Sequence, residues 1–139
     1  MPIDGLSIKS VVSGRELVLH GPRPFEFTAE LRGGPAMAMT DVYSPPDYNY
    51  LAGFLEELAA LDAPWKEARR WSSLDKELRL SATCTSLGRV HFTVQLEPQL
   101  GGEEGWSVTA DIAYDFGMLP SLALDARRFC DRLSALSRL

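Results

Sequence analysis

The chain has 139 residues, the size of one ordinary domain, and 45% of them are hydrophobic, which excludes a disordered protein. Its formal net charge of −5 offers no basic footprint for nucleic acid or for an anionic membrane, so neither is expected as a partner. The sequence shows no apolar run of roughly 18 residues that would span a membrane, no signal-peptide pattern and too few cysteines for a disulfide framework. We therefore expect a single domain, residues 1–139, in the cytoplasm.

The beginning of the chain alternates between apolar and polar residues, as β-strands do. A turn at Ser13–Arg15 separates LSIKSVV from ELVLH and predicts a hairpin. Residues 25–31, FEFTAEL, alternate without interruption and predict a half-buried strand. Residues 36–43, AMAMTDVY, predict a further strand after the break at GGP.

The apolar period then changes from two residues to that of a helix, which predicts a helix over residues 45–62. Ser44 is placed to cap this helix, and Pro45 would occupy its first position. Asp47 would lie in the first turn, where a carboxylate is favourable. Pro64 follows the far end, where a helix is expected to stop.

The rest of the chain returns to strand periodicity and closes on a second helix. Residues 65–71, WKEARRW, fit either a helical turn or a loop. Strands are predicted in ELRLSATCT (77–85), RVHFTVQL (89–96) and WSVTADIAY (106–114). An apolar stripe that includes Phe129 and Cys130 predicts a helix over residues 118–137.

Three short segments of the first half recur in the same order in the second half. RELVL is echoed by KELRL, FTAEL by FTVQL, and MTDVY by TADIAY, and each set is followed by a helix. A duplicated βββα unit would explain the echo, and so would chance similarity between amphipathic strands. Either way we predict an α+β fold, in which a mainly antiparallel sheet of about six to eight strands carries two main helices on its apolar face.

Cys84 and His91 are the residues that would form a nucleophile and base pair, because they flank a tight turn. Strand alternation argues against it. Cys84 shares the apolar row of Leu80 and Ala82, whereas His91 shares the polar row of Thr93. If the apolar rows pair on one face, the two side chains lie on opposite sides of the sheet, unless a bulge near the turn re-aims one of them.

Other reaction chemistry finds no support in the sequence. It has neither CxxC nor HxxxH spacing, which disfavours a transition-metal site, and it lacks the P-loop, GxGxxG and GxSxG motifs. Asp41, Asp111 and Asp115 end or follow strands, but nothing in their spacing gathers them in a cleft. We therefore assign no catalytic residue, no metal ligand and no cofactor.

Two surfaces are candidates for binding a partner. Trp65 and Trp71 bracket Lys66, Arg69 and Arg70, which fits an aromatic-basic recognition patch or, more simply, two indoles that close the edge of the sheet. The second candidate is acidic. It comprises Glu103, Glu104, Asp111 and Asp115, which fall on a turn and at a strand end and would form a patch if these come together with the first helix.

The second half also follows a recognisable pattern. A Trp and an apolar strand precede a Gly-X-Val strand, LGRVHFTVQL, and a second Trp strand, WSVTADIAY, leads to an Arg-Phe-bearing helix. Over residues 71–133 this pattern resembles a family of short uncharacterised bacterial proteins. The resemblance implies no activity and transfers no catalytic residue. Small acidic cytoplasmic bacterial proteins of this sort are often immunity partners of toxins.

We therefore expect a non-enzymatic protein-binding module, an immunity or adaptor protein whose acidic surface binds a basic partner such as a toxin. The alternative is a small-ligand-binding domain with a pocket between sheet and helices, lined by Phe27, Phe92 and Met39. A hydrolase or similar enzyme is the third hypothesis, which the missing motifs weaken. The oligomeric state does not follow from the sequence.

Overall fold

The computed structural model describes residues 5–46, 50–99 and 104–138. In these ranges the chain forms the element order ββββα twice, so each unit has one strand more than the βββα unit that the sequence echo predicted. The first unit contains β1 (Leu6–Lys9), β2 (Glu16–Arg23), β3 (Glu26–Arg32), β4 (Ala38–Tyr43) and α1 (Leu51–Ala59). The second contains β5 (Arg69–Ser72), β6 (Leu78–Cys84), β7 (Arg89–Leu96), β8 (Val108–Asp115) and α2 (Leu119–Ser137), with a short 3-10 helix, Phe116–Met118, before α2. The α+β class is therefore confirmed.

The strands form two four-stranded antiparallel sheets, where we had expected one. Within each sheet the strands follow chain order, β1-β2-β3-β4 and β5-β6-β7-β8. The sheets approach each other beside β1 and β8, where the Val11 amide donates a hydrogen bond of 2.9 Å to the Ala113 carbonyl. Strand alternation shows which face of each strand is buried, but it carries no information about which edges pair, so the division into two sheets did not follow from the pattern.

Both helices help to enclose one hydrophobic core. α2 packs against α1 and against β1 and β2, and the buried apolar residues of both sheets and both helices form one cluster. The Phe27 ring on β3 meets the Phe129 ring on α2 edge to face, with 5.4 Å between centroids. This packing leaves the other face of each sheet, its outer face, for polar side chains.

The first helix begins later and ends earlier than predicted. α1 runs from Leu51 to Ala59, and Tyr50 is its N-cap, without a side-chain capping bond. Ser44 is buried instead, and its amide donates a hydrogen bond of 2.7 Å to the Phe25 carbonyl, which continues the pairing of β3 with β4. Asp47 lies outside the described residues. The sequence prediction was wrong because Ser followed by Pro is typical of the start of a helix. In this protein Ser44 instead extends the pairing of β3 with β4.

The second helix and the hairpins agree better with the sequence. The predicted helix over residues 118–137 is confirmed as α2, one residue shorter at its start. Residues 65–71 are the exception, since Arg69–Ser72 forms β5 and Trp71 lies opposite Leu80. Two adjacent arginines obscured the alternation at this sheet edge, so the short strand was missed.

Candidate functional site

The β6–β7 hairpin separates Cys84 from His91. The register places Thr83 opposite His91 and Cys84 opposite Val90, so the thiol and the imidazole lie on opposite faces. Cys84 is buried and His91 is exposed. The turn between the two strands contains Gly88 with a positive φ of +87°, but this turn does not move either side chain to the other face of the sheet. The prediction that the two side chains lie on opposite faces of the sheet is confirmed.

Both cysteine thiols should react slowly in the native protein. Burial raises the pKa of Cys84, and it raises the pKa of Cys130 to about 11, so little thiolate forms near neutral pH. We expect maleimide labelling of native protein to be at least about tenfold slower than labelling in urea. A Cys130→Ser variant assigns the remaining signal to Cys84. Labelling of native Cys84 as fast as in urea would contradict its place in the core.

The two tryptophans of the aromatic-basic candidate lie in the core. Trp65 and Trp71 are 7% and 9% exposed, while Lys66, Arg69 and Arg70 are exposed. The Trp65 indole N–H donates a hydrogen bond of 2.9 Å to the carbonyl of Ala82 on β6, which lies opposite Arg69, the first residue of β5. This is the arrangement in which the indoles close the edge of the sheet. Partner contact through the small exposed part of either ring stays a prediction.

The acidic candidates are exposed where they are described. Glu104 precedes β8, and Asp111 and Asp115 both point outward from β8, whereas Glu103 lies outside the described residues. Thr93 donates a hydrogen bond of 2.8 Å to the Asp111 carboxylate. Glu104 and Asp115 flank opposite ends of β8, so the structure brings Asp111 and Asp115 together on one face and leaves Glu104 at the far end.

Glu56 on α1 is not a free carboxylate, because it forms an ion pair with Arg127 on α2. Arg127 donates two hydrogen bonds to it, with Nε–Oε2 at 2.9 Å and Nη2–Oε1 at 2.5 Å. These bonds lower the pKa of Glu56 and raise that of Arg127. Glu57, one residue further on, stays exposed.

The outer face of the first sheet pairs its carboxylates with cationic or imidazole groups. The pairs are His20–Glu30 (3.1 Å), Arg32–Glu16 (3.0 Å), Arg23–Glu26 (3.0 Å) and Arg23–Asp41 (3.1 Å). A hydrogen bond from the Ser7 hydroxyl, helped by Arg32, lowers the pKa of Glu16. Each of these four carboxylates therefore has a partner on the same face, although Arg23 is shared between Glu26 and Asp41.

The outer face of the second sheet carries a groove that the sequence did not reveal. It has a volume of about 460 Å³, and the side chains that matter for its chemistry are Arg70, Lys76, Arg79, Ser81, Thr93 and Gln95. We call it the basic groove. Sequence reasoning missed it because residues 65–71 were not placed on a strand, and without β5 the outward direction of Arg70 beside β6 had no basis.

The three residues named for the pocket of the ligand-binding alternative do not face one common space. Phe27 packs edge-on against Phe129, and Phe92 packs against Tyr114 with 5.8 Å between ring centroids. Met39 is 58% exposed and points away from the core. The three residues named for that pocket therefore do not line a common cavity.

No group of three or more His, Cys, Asp or Glu side chains is arranged to hold a metal ion in the ranges that the structure describes. Neither of the described helices combines the length and the apolar composition that crossing a bilayer requires.

Comparison with known proteins places the chain in a family. Neither a curated protein nor a solved structure matches it. The model of a family of unknown function, DUF6228, matches residues 11–132, and so includes the first half, which the sequence pattern had not linked to any family. An uncharacterised family without established activity is what the pattern over residues 71–133 predicted. The chain therefore belongs to the DUF6228 family of unknown function.

Proposed function

We propose that this protein is a non-enzymatic protein-binding module that docks a basic partner on β8, the edge strand of its second sheet that lies farthest from β5. The observation that carries the proposal is a contrast between the two outer faces. Carboxylates of the first sheet are paired, whereas Asp111 and Asp115 on β8 are exposed and form no ion pair with any described residue. Exposed acidic groups of this kind speed association with a basic surface and select for it.

An immunity or adaptor protein would have this kind of surface. A toxin with a basic surface is the partner that we propose, in a bacterial cytoplasm. The two cysteines are free and buried, which suits a reducing compartment. The acidic net charge of −5 supports attraction to a basic protein at long range.

Charge reversal on β8 tests the proposal. Wild-type protein is used to capture a partner from a lysate of the source cells, and association rates are then measured across salt concentrations. We expect the Asp111→Lys/Asp115→Lys variant to associate about tenfold more slowly at low salt, with the difference shrinking as salt rises.

A matched control separates the docking face from net charge. The Glu57→Lys/Asp62→Lys variant changes the charge by the same amount at exposed positions on α1 and just after it. We expect it to associate nearly as fast as wild type. Equal slowing of the two variants, or no slowing of either, would contradict docking at β8.

A small-ligand-binding domain is the second candidate function, and the basic groove is the observation that favours it. The groove lies on the outer face of a sheet, not between sheet and helices as the sequence had suggested. Its volume lies in the range of about 300–1,000 Å³ that is usual for ligand sites.

We also infer that the two ββββα units arose by duplication. The recurring segments occupy equivalent strands, with RELVL and KELRL leading into β2 and β6, FTAEL and FTVQL in β3 and β7, and MTDVY and TADIAY in β4 and β8. An alignment of first halves against second halves across family members tests this. Halves no more similar than unrelated antiparallel sheets would contradict it.

A further inference from the structure

The basic groove concentrates positive charge on an acidic protein. Arg70 on β5 lies opposite Ser81, and Arg79 on β6 lies opposite Ser72, so the two arginines are diagonal neighbours on one face. Lys76 lies in the turn that joins these strands. The chain has 19 acidic and 14 basic residues, so three cations around one groove run against its overall balance. Like charges this close repel unless an anion lies between them.

Nearby carboxylates balance the positive charges of the groove only in part. Among the described residues Arg70 and Lys76 form no ion pair, and Arg79 has Glu97 at 3.6 Å. The Arg79 Nε is buried without a hydrogen-bond partner in the part of the chain that the structure describes, although 40% of the side chain is exposed. Asp111, which accepts a hydrogen bond from Thr93 of the groove, is a second carboxylate, so three cations face two carboxylates and leave one net positive charge.

The backbone at Lys76 is strained in a way that glycine would relieve. Its φ is +64°, a conformation that costs most L-residues free energy and that glycine adopts readily. The Lys76 amide donates a hydrogen bond of 3.0 Å to the Ser73 carbonyl, which closes the turn. A lysine at this position lowers stability and places an ammonium group beside the groove, which points to a role in binding.

The neutral donors of the groove are partly engaged. Thr93 donates to Asp111 at 2.8 Å, and Gln95 donates to Ser107 at 3.1 Å. The Ser81 hydroxyl, opposite Arg70, remains to donate to a ligand. Two guanidinium groups, one ammonium and one hydroxyl are groups that bind an oxyanion with several acceptor oxygens.

We propose that the basic groove binds the phosphate group of a small phosphate monoester. Such a group carries a charge of about −1.5 to −2 near neutral pH and three strong acceptor oxygens for the several donors of the groove, whereas a carboxylate offers one charge and two oxygens. The remainder of the molecule would lie along the outer face between β5 and β7. This inference rests on the second candidate function, whose ligand class it names, and it does not depend on the protein-binding function, because phosphate binding is measured without any partner.

Nuclear magnetic resonance titration of the ¹⁵N-labelled protein with inorganic phosphate tests the site. At constant ionic strength we expect saturable shifts at the Arg79 Nε–H signal and at amides of β5 and β6. Acetate, which carries a single charge, should produce no saturable shift. Acetate binding as tight as phosphate binding, or phosphate shifts that rise linearly without saturation, would overturn the proposal.

Two groove variants and one control complete the test. Arg70→Gln and Lys76→Gly should each weaken phosphate binding about tenfold, since each removes a charge-assisted contact. Lys76→Gly should also raise the melting temperature, because glycine relieves the backbone strain, so its weaker binding cannot come from misfolding. Arg128→Gln, at an exposed position on α2, should bind phosphate as wild type does. If all three variants bind phosphate with the affinity of the wild-type protein, the groove is not the site.

Discussion

Replacing Phe129 by alanine is expected to lower the free energy of unfolding by about 3–5 kcal/mol, the usual cost of truncating a buried aromatic ring. Phe129 is buried on α2 and packs edge to face against Phe27 of β3. The substitution removes this contact and leaves a cavity where the second unit's helix covers the first unit's sheet. Urea denaturation followed by circular dichroism measures the change.

The same helix provides the control for this prediction. Leu124 is 53% exposed on α2, so Leu124→Ala removes a side chain of comparable hydrophobicity without opening a cavity. We expect that variant to change stability by less than about 0.5 kcal/mol. A loss below about 1 kcal/mol for Phe129→Ala would mean that α2 does not seal the core against the first sheet.

Replacing Gly33 by alanine is expected to destabilise the protein by about 2–4 kcal/mol, from left-handed strain and overpacking together. The φ of Gly33 is +81°, and a Cβ built there would lie 1.9 Å from the carbonyl oxygen of Gly14. The atom in the way belongs to the backbone of the β1–β2 turn. Relief would therefore require one of two neighbouring loops to move.

Two other glycines serve as matched controls for Gly33. A Cβ at Gly105 or at Gly117 meets nothing within 4 Å, and neither has a positive φ. Alanine there should change the melting temperature little or raise it slightly, because it restricts the unfolded chain. If Gly33→Ala unfolds at the same temperature as these controls, the close approach of the two loops does not constrain the fold.

Some features of the candidate site could be predicted from the sequence and others could not. The outward direction of Asp111 and Asp115 and the separation of Cys84 from His91 follow from a side-chain period of two, which is a local property of a strand. The basic groove required β5 to be recognised, and Arg69–Ser72 is too short for its alternation to be visible. It also required Lys76 in a positive-φ turn, a position where glycine or asparagine would have been expected.

The amino-acid sequence by itself determined which side chains of β3, β6, β7 and α2 enter the core, because the burial of a side chain follows the period of its strand or helix. Only the tertiary structure decided that the strands divide into two sheets, that α1 begins at Leu51, and that Arg70, Lys76 and Arg79 share one groove. The physical reason is that pairing between strand edges, packing of one unit's helix on the other unit's sheet and gathering of like charges depend on residues far apart in the chain. No local pattern records those distances.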